Sequence, residues 1–314
     1  MNEPLMSVII CTHNRAEYLG LALESALGQV FEGFEVIVVD NGSTDQTPGV
    51  VQGFEEDPRL VSIFEPRLGL SIARNRGARA ARGEILVYLD DDAVASCYWL
   101  RALQDAFSDG QVAIAGGRCT LIWPPNTPVP PWLSPNLEGY LGRYDLGPIP
   151  RPITTAGDTP RGLNYALRRS FWQQMGGFNT GLGRVGANLL SNEELHMTQL
   201  ALEQGYRVMY MPAAEVGHHV APERLRRHWF LRRSWWQGIS EYHRTQLAGT
   251  SALRQRSLGL LRGLKQALDH WQDPASRFDH LAYAYGQLGY LRAALNLWVG
   301  RPLVTTSDAV TSTD

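Results

Sequence analysis

Three consecutive aspartates directly follow a short apolar run in the stretch Ile85-Leu-Val-Tyr-Leu-Asp-Asp-Asp92. A run of this length and composition predicts a buried strand. Adjacent carboxylates repel one another and desolvate badly unless a cation or hydrogen-bond donors offset their charge. Hard divalent ions prefer oxygen ligands, and Mg²⁺ commonly binds one or two carboxylates together with substrate phosphates. The triplet therefore indicates a metal site; the alternative is an acidic cap on a helix predicted within residues 93–107.

Two earlier apolar runs also end in polar residues. The runs at 7–11 and 35–39 lead into Thr12 and Asp40, and each is followed by a segment with helical spacing. Short apolar strands that alternate with helices predict an α/β fold with a mostly parallel sheet and helices on both faces. Ligands bind beyond the carboxyl ends of the strands in such sheets. We therefore expect Thr12, Asp40 and the aspartate triplet to meet in one crevice.

The second half of the chain is less regular. Residues 123–152 contain nine of the 18 prolines, too many for a helix or a central strand, and predict a long ordered excursion. Residues 206–211 predict a strand that ends at a turn around Pro212. From residue 222 onward helical spacing dominates. We expect a catalytic domain over 1–221, a basic helical segment over 222–304 and a flexible tail over 305–314. Within the catalytic domain, the nucleotide half covers about 1–115 and the acceptor half about 116–221.

Charge and composition exclude several classes of protein. The net charge of −2 over 314 residues excludes a generally basic nucleic-acid-binding protein, although residues 222–301 hold 13 Lys and Arg against 5 Asp and Glu. The three cysteines, Cys11, Cys97 and Cys119, are widely spaced and favour a reducing compartment. No signal-peptide pattern and no apolar run of about 18 residues is visible. We expect a cytoplasmic protein, with peripheral contact at the cytoplasmic membrane face as the further option.

A second acidic pair, Glu193 and Glu194, precedes another helical segment. A Glu at a helix start that faces a sugar hydroxyl is a natural general base, although negative charge at a helix N-terminus is also ordinary helix chemistry. His218 could complete a metal shell with Asp92, or could be structural. Asp40 could read a nucleobase or close an Asx-turn, and the two interpretations are equally supported.

Taken together, these motifs resemble glycosyltransferase family 2, whose members have the GT-A fold. The resemblance covers about two thirds of the chain, from residue 5 to residue 219. The motifs that carry it occur, in the family's order and spacing, at residues 7–15, 35–45, 75–77, 89–92, 176–178, 193–194 and 205–207.

The resemblance implies an inverting transfer of a sugar from a nucleoside-diphosphate sugar, with UDP as the expected nucleotide. It assigns Mn²⁺ or Mg²⁺ to Asp92 and His218, and the general base to Glu194. The pair here is Glu-Glu where the family has Glu-Asp, so whether Glu193 or Glu194 is the base stays open. The residues that it places on the nucleotide sugar are Thr12, Asn14, Arg15, Asp40, Arg74, Asp90 and Asp91.

The acceptor is expected to be a glycan or a lipid-linked molecule, and neither the sugar nor the linkage can be derived from the sequence. We place the acceptor side at Gly162, Asn164, Gly177 and Trp132. A nicotinamide-dependent oxidoreductase is disfavoured because residues 11–15 lack the glycine fingerprint for a pyrophosphate. The competing interpretation is a non-catalytic module that has the same fold and binds a nucleotide sugar or a glycan.

A basic, tryptophan-rich segment covers residues 224–236. Helical spacing puts Trp229, Trp236 and Ile239 on one face, with Arg226 and Arg233 on another. Three interpretations are open: packing on the catalytic domain, contact of its arginines with an anionic membrane surface, or stacking of its aromatics on acceptor sugars. The oligomeric state cannot be derived.

Overall fold

The computed structural model describes residues 5–186 and 188–298 and contains one mixed sheet. Within that part of the chain the sheet has nine strands, eight of them in the order β3-β2-β1-β4-β8-β6-β9-β5, with β7 paired to β9. The strands are β1 (Met6–Thr12), β2 (Phe34–Asp40), β3 (Leu60–Phe64), β4 (Ile85–Asp90), β5 (Ala93–Ala95), β6 (Val112–Ile122), β7 (Arg151–Ile153), β8 (Asn164–Arg168) and β9 (Arg207–His219).

Helices connect and cover these strands. Seven lie within the sheet domain or its excursion: α1 (Ala16–Leu27), α2 (Thr47–Gln52), α3 (Leu70–Ala80), α4 (Trp99–Phe107), α5 (Pro135–Glu138), α6 (Arg169–Gln174) and α7 (Glu193–Glu203). Three longer ones follow: α8 (Arg227–Leu247), α9 (Leu253–Asp269) and α10 (Pro274–Trp298). Short 3₁₀ turns lie at Gly139–Leu141, Ala156–Asp158 and Pro222–Arg224.

The N-terminal half of the sheet is parallel, as its apolar strands predict. Strands β1, β2 and β4 are buried over almost their whole length, because helices cover a parallel sheet on its faces. The register pairs Thr12 with Asp40 and Cys11 with Asp90. The polar ends of three strands therefore lie side by side, which confirms the expected crevice at this edge.

The rest of the sheet adds antiparallel strand pairs to this parallel half. Strand β8 runs antiparallel to both β4 and β6, and β5 runs antiparallel to β9. Residues 93–95, which we expected in a helix, instead form β5, and the helix begins only at Trp99. This short strand pairs with residues 216–218, so a distant partner decides its conformation.

Strand β9 also corrects a sequence-based expectation, because it does not end at Pro212. It continues to His219, and its pairing with β6 is interrupted between Gly117 and Cys119. Across this interruption the partner residues change from Met211 to Val216, so the proline lies in a bulge. A bulge tolerates a residue without an N–H donor.

The C-terminal helices join the sheet domain through apolar clusters. Phe230 of α8 packs with Leu137 and Leu141 of the proline-rich excursion and with Phe278 of α10. In the described part of the chain, no helix is both long enough and apolar enough to span a membrane. The predicted tail at 305–314 and residues 299–304 of the basic segment lie outside the described residues.

Candidate active site

A cavity of about 1070 Å³ opens at the carboxyl ends of β1 and β4. Its walls include the aspartate triplet, the Glu193–Glu194 pair and residues of α9 and α10. The chain therefore brings the two acidic motifs, which lie about a hundred residues apart, into one cleft. This is the crevice that the strand ends predict.

Asp90, Asp92 and His218 form a cluster suited to a divalent cation. One ligand atom from each lies within 4.8 Å of the other two. The pairing of β5 with β9 sets Ala93 opposite His218, and His218 Nε2 lies 3.0 Å from Asp92 Oδ1. His218 Nδ1 lies 2.5 Å from the carbonyl oxygen of Leu141. A carbonyl can only accept, so Nδ1 donates to it, and Nε2 is the ring nitrogen that faces the cluster.

The charges around Asp92 favour its ionised form. Burial by itself would raise the pKa of Asp92, but His218, Arg224 and Arg15 outweigh it and hold that pKa well below its usual range. Arg224 Nη2 lies 3.0 Å from Asp92 Oδ2, and Arg15 Nη2 lies 3.9 Å from the same oxygen. Burial, followed by the charge of Asp92, raises the pKa of Asp91 to about 7.

Arg74, on α3, connects this cluster with the second acidic pair. Its Nη1 lies 2.6 Å from Glu194 Oε1 and 3.0 Å from Glu193 Oε1, while its Nη2 lies 3.5 Å from Asp90 Oδ1. Burial, followed by the charge of Glu194, raises the pKa of Glu193 to about 8. Glu193 is only 2% exposed, and the side chain of Glu194 is 16% exposed. Glu194 is therefore the more accessible carboxylate of the pair.

Gly162 makes room for this ion pair. A Cβ at this position would lie 1.7 Å from Glu194 Oε1 and 2.5 Å from Arg74 Nη2. Only a glycine lets the backbone approach the two charged groups so closely. Gly162 lines the cleft, and its place on the acceptor side stays a prediction.

The loop after β2 depends on Asp40 and Asn14. Asp40 Oδ1 accepts a hydrogen bond from the amide of Ser43 at 2.8 Å, which is the Asx-turn alternative. Asn14 Oδ1 accepts from the amide of Thr44 at 2.7 Å. Both side chains shape the loop, and neither lines the cavity, whereas Thr12 and Arg15 do. Contact of Asp40 with a base stays a prediction.

Three residues that we expected on the acceptor side have other environments. Asn164 is fully buried in β8, where it contacts Trp99 Nε1 at 2.9 Å and the carbonyl of Ala214 at 2.8 Å. Gly177 has a φ of +89° in the turn after α6, which a β-carbon disfavours. Trp132 packs edge-on against Phe278. None of the three lines the cavity, and their assignment to the acceptor side stays a prediction.

Several cationic residues of the cleft were missed by sequence reasoning. Arg161 and Arg184 line it beyond the glutamates, and Arg224 contacts Asp92. Arg233, expected on an outward face of the tryptophan-rich helix, also lines the cleft, with its Nη2 3.2 Å from Ser191 Oγ. Burial, followed by repulsion from Arg184, lowers the pKa of Arg233 to about 10. The basic character of residues 224–236 was the available signal.

The sequence matches the profile of Glycosyl transferase family 2 over residues 7–151 and that of Glycosyl transferase family group 2 over residues 151–304. The chain belongs to glycosyltransferase family 2. The protein is a glycosyltransferase.

Named relatives of the transferase act on different molecules. It is 28% identical over 245 residues to the glucosyl-dolichyl phosphate glucuronosyltransferase of Haloferax volcanii. That alignment covers 75% of this chain and 76% of that protein. It is 36% identical over 161 residues to the validoxylamine A glucosyltransferase of Streptomyces hygroscopicus, which covers 50% of this chain and only 36% of that protein.

Solved structures show that the transferase has the GT-A fold. The mannosyltransferase PcManGT from Pyrobaculum calidifontis, in complex with GDP-Man and Mn²⁺, aligns with a TM-score of 0.61 and 20% identity over 95% of this chain and 88% of that one. TarS of S. aureus in complex with UDP aligns with a TM-score of 0.52 and 18% identity over 95% and 93%. At this level of identity the likeness establishes the fold.

Proposed function

We propose that the transferase is inverting and moves a sugar from a nucleoside-diphosphate sugar to a hydroxyl of a glycan or a lipid-linked acceptor. The observation that carries the proposal is the position of Arg74 between the metal-type cluster and Glu194. One displacement needs charge stabilisation on the leaving diphosphate and a base for the acceptor hydroxyl. In the cleft, the metal-type cluster would serve the leaving diphosphate, and Glu194 would serve as the base.

Asp90, Asp92 and His218 would hold the cation. Two carboxylates and one imidazole Nε2 fit Mn²⁺ better than Mg²⁺, because Mg²⁺ binds oxygen almost exclusively. When bound, the ion would supply Lewis-acid stabilisation of the departing diphosphate. The Mn²⁺ complex of PcManGT supports this choice for a protein of the same fold.

Glu194 is the general base in this proposal. Glu193 keeps its proton near neutral pH because its pKa is raised to about 8, so it is poorly suited to accept another one. Arg74 Nη1 lies 2.6 Å from Glu194 Oε1 and holds that carboxylate in place. This ion pair must lengthen when the acceptor hydroxyl binds. Proton transfer to Glu194 would then leave Arg74 with Glu193 and Asp90.

The donor would lie along the strand ends. We keep Thr12, Arg15, Asp90 and Asp91 as donor-binding residues, with Asn14 and Asp40 shaping the loop beside the base. UDP stays the expected nucleotide, which the UDP complex of TarS supports and the GDP-Man complex of PcManGT does not.

The positively charged residues near Glu194 would suit an anionic acceptor. Arg161, Arg184 and Arg233 line the cleft near Glu194. Arg233 stacks on Tyr140, and its Nη1 is buried without a hydrogen-bond partner among the described residues. A phosphate of a lipid-linked carrier would complement these guanidinium groups. The dolichyl phosphate substrate named for the Haloferax relative agrees with that chemistry.

We also propose the division into a catalytic unit over 1–221 and a helical unit over 222–304. The largest apolar cluster runs from Met6 to Val216, and two smaller ones include residues of α8 and α10. A cytoplasmic location remains part of the proposal, and the free thiols of Cys11, Cys97 and Cys119 favour it.

A donor screen tests the proposed function. The purified chain is incubated with UDP-, GDP- and dTDP-sugars in Mn²⁺ or in EDTA, and release of the nucleoside diphosphate is measured. The proposal expects release from at least one donor, in Mn²⁺ only. Nucleotide-sugar binding without release from any donor would favour the non-catalytic module.

A further inference from the structure

Helix α9 turns large apolar side chains toward solvent. Leu261, Leu264 and Leu268 are 65%, 44% and 70% exposed, and their spacing of three and four residues puts them on one face. Leu253 and Leu258 of the same helix are also about half exposed. A helix on the surface of a globular protein usually buries its leucines, whereas α9 exposes them.

The opposite face of α9 explains this arrangement. Gly259, Gly263 and Ala267 are buried against α10, and a Cβ on Gly263 would lie 3.0 Å from the ring of Tyr283. Small residues let the two helices approach closely, so α9 uses its small side chains for packing within the chain. The leucine face is left for another contact.

The charges of α9 indicate which contact this is. Arg254, Arg262 and Lys265 are exposed, and no acidic residue precedes Asp269 in the helix. Leucines interspersed with cations on one exposed surface are typical of a helix that lies in the interface of an anionic bilayer. Trp271, just beyond the helix, is exposed too and stacks on Arg277. Tryptophan is enriched at the same depth of a membrane.

Helix α9 also borders the cleft. Arg262 and Gln266 of α9, together with Tyr283 of α10, form part of the cavity wall. A bilayer against the leucine face would therefore contact the helix whose other side forms part of this wall. The neighbouring helix α8 offers no comparable surface, since Phe230 and Ile239 are buried and Arg233 lies in the cleft.

We propose that α9 docks on an anionic lipid surface, with Leu261, Leu264 and Leu268 inserted among the headgroups. Arg254 and Lys265 contact the lipid phosphates. The proposal thus assigns membrane contact to α9, whereas the sequence suggested it for the tryptophan-rich helix. Docking does not depend on turnover, so it can be tested whether or not the proposed reaction is correct.

Flotation with vesicles tests this docking. The full chain is mixed with vesicles of phosphatidylcholine alone, or of equal parts phosphatidylcholine and phosphatidylglycerol, at low salt. We expect binding to the anionic vesicles only. Replacing Leu261, Leu264 and Leu268 together by Ser should weaken binding about tenfold or more. The double variant Arg254→Gln and Lys265→Gln should weaken it severalfold.

Matched variants provide the controls. Leu21, Val30 and Phe64 are similarly exposed outside α9, so changing these three to Ser should leave binding unchanged. The double variant Arg79→Gln and Arg101→Gln removes two exposed charges far from α9 in sequence, and it should likewise leave binding unchanged. Thermal unfolding of each variant checks that the fold is intact.

Three results would overturn the docking proposal. The first is a wild-type chain that does not float with anionic vesicles, and the second is a leucine variant that floats as well as wild type. The third is a dimer in light scattering that the leucine variant dissociates, without vesicle binding, which would assign the face to a second copy of the chain.

Discussion

Arg74 Nη1 lies 2.6 Å from Glu194 Oε1, and the other guanidinium nitrogen of the same residue lies 3.5 Å from Asp90 Oδ1. One buried cation on α3 therefore contacts both acidic groups that the proposed reaction uses. Since a guanidinium is planar and rigid, it fixes the position of Glu194 relative to the metal-type cluster.

Asp92→Asn should lower turnover by at least about 100-fold, because the variant loses a charged ligand for the cation. His218 and Arg224 contact the same carboxylate, and an amide can still contact both, so the fold should persist. The check is steady-state release of nucleoside diphosphate in Mn²⁺, with circular dichroism for the fold. Asp109→Asn, at an exposed ion pair with Arg207, is the control. Full activity of wild type in excess EDTA would refute the metal requirement.

Glu194→Gln should lower kcat by about 10²–10⁴-fold and leave donor binding nearly unchanged, because only the proton acceptor is removed. Calorimetric titration of the donor and single-turnover kinetics separate these two effects. Glu193→Gln is the matched control, since it keeps an oxygen that accepts from Arg74. An inactive Glu193→Gln together with an active Glu194→Gln would move the base to Glu193.

Glu193 should make stability depend on pH in a defined direction. Its pKa rises from 4.5 to about 8 in the folded chain, so the folded state binds this proton more tightly than the unfolded state. Its contribution is fully present below about pH 4.5. It is lost as pH rises toward 8, by at most about 1.4 kcal/mol per pH unit. Urea unfolding without metal, at pH 5.5 and 8, should show a steeper decline for wild type than for Glu193→Gln. Parallel declines would contradict the raised pKa.

Gly162→Ala should lower kcat by about 100-fold, because its methyl group displaces Glu194 or Arg74. Gly157→Ala is the matched control: Gly157 lines the same cleft, and a Cβ there has open space. Initial rates and melting temperatures of both variants decide the outcome. Equal activity of the two would show that the close approach at Gly162 does not matter.

The parallel half of the fold could be predicted because its signals are local. The buried strands β1, β2 and β4 are continuous apolar runs, and the polar residues at their ends, such as Thr12 and Asp90, meet as parallel topology requires. Strand β5 and the end of β9 could not be predicted in this way. Their conformation depends on pairing between residues about a hundred positions apart, and the bulge hides the continuation past Pro212.

The candidate site, like the fold, could be predicted only where its signals are local in the sequence. The acidic motifs and His218 could be selected by residue type and spacing, and the cleft brings them together. The contacts of Arg74 and Arg233 could not, because a sequence does not reveal which face of a helix meets a distant wall. Asn164 and Trp132 show the converse, since both residues suit a sugar site and both are used for packing.

Inversion at the anomeric carbon is the central claim, and proton NMR tests it directly. The enzyme hydrolyses the α-linked donor that gives the fastest nucleotide release in Mn²⁺, and a chelating resin removes the ion before the measurement because it broadens the signals. The first sugar released is observed before mutarotation. The account predicts the β-anomer first, and none of it from Glu194→Gln within the same time. The α-anomer as the first product would contradict a single displacement assisted by Glu194.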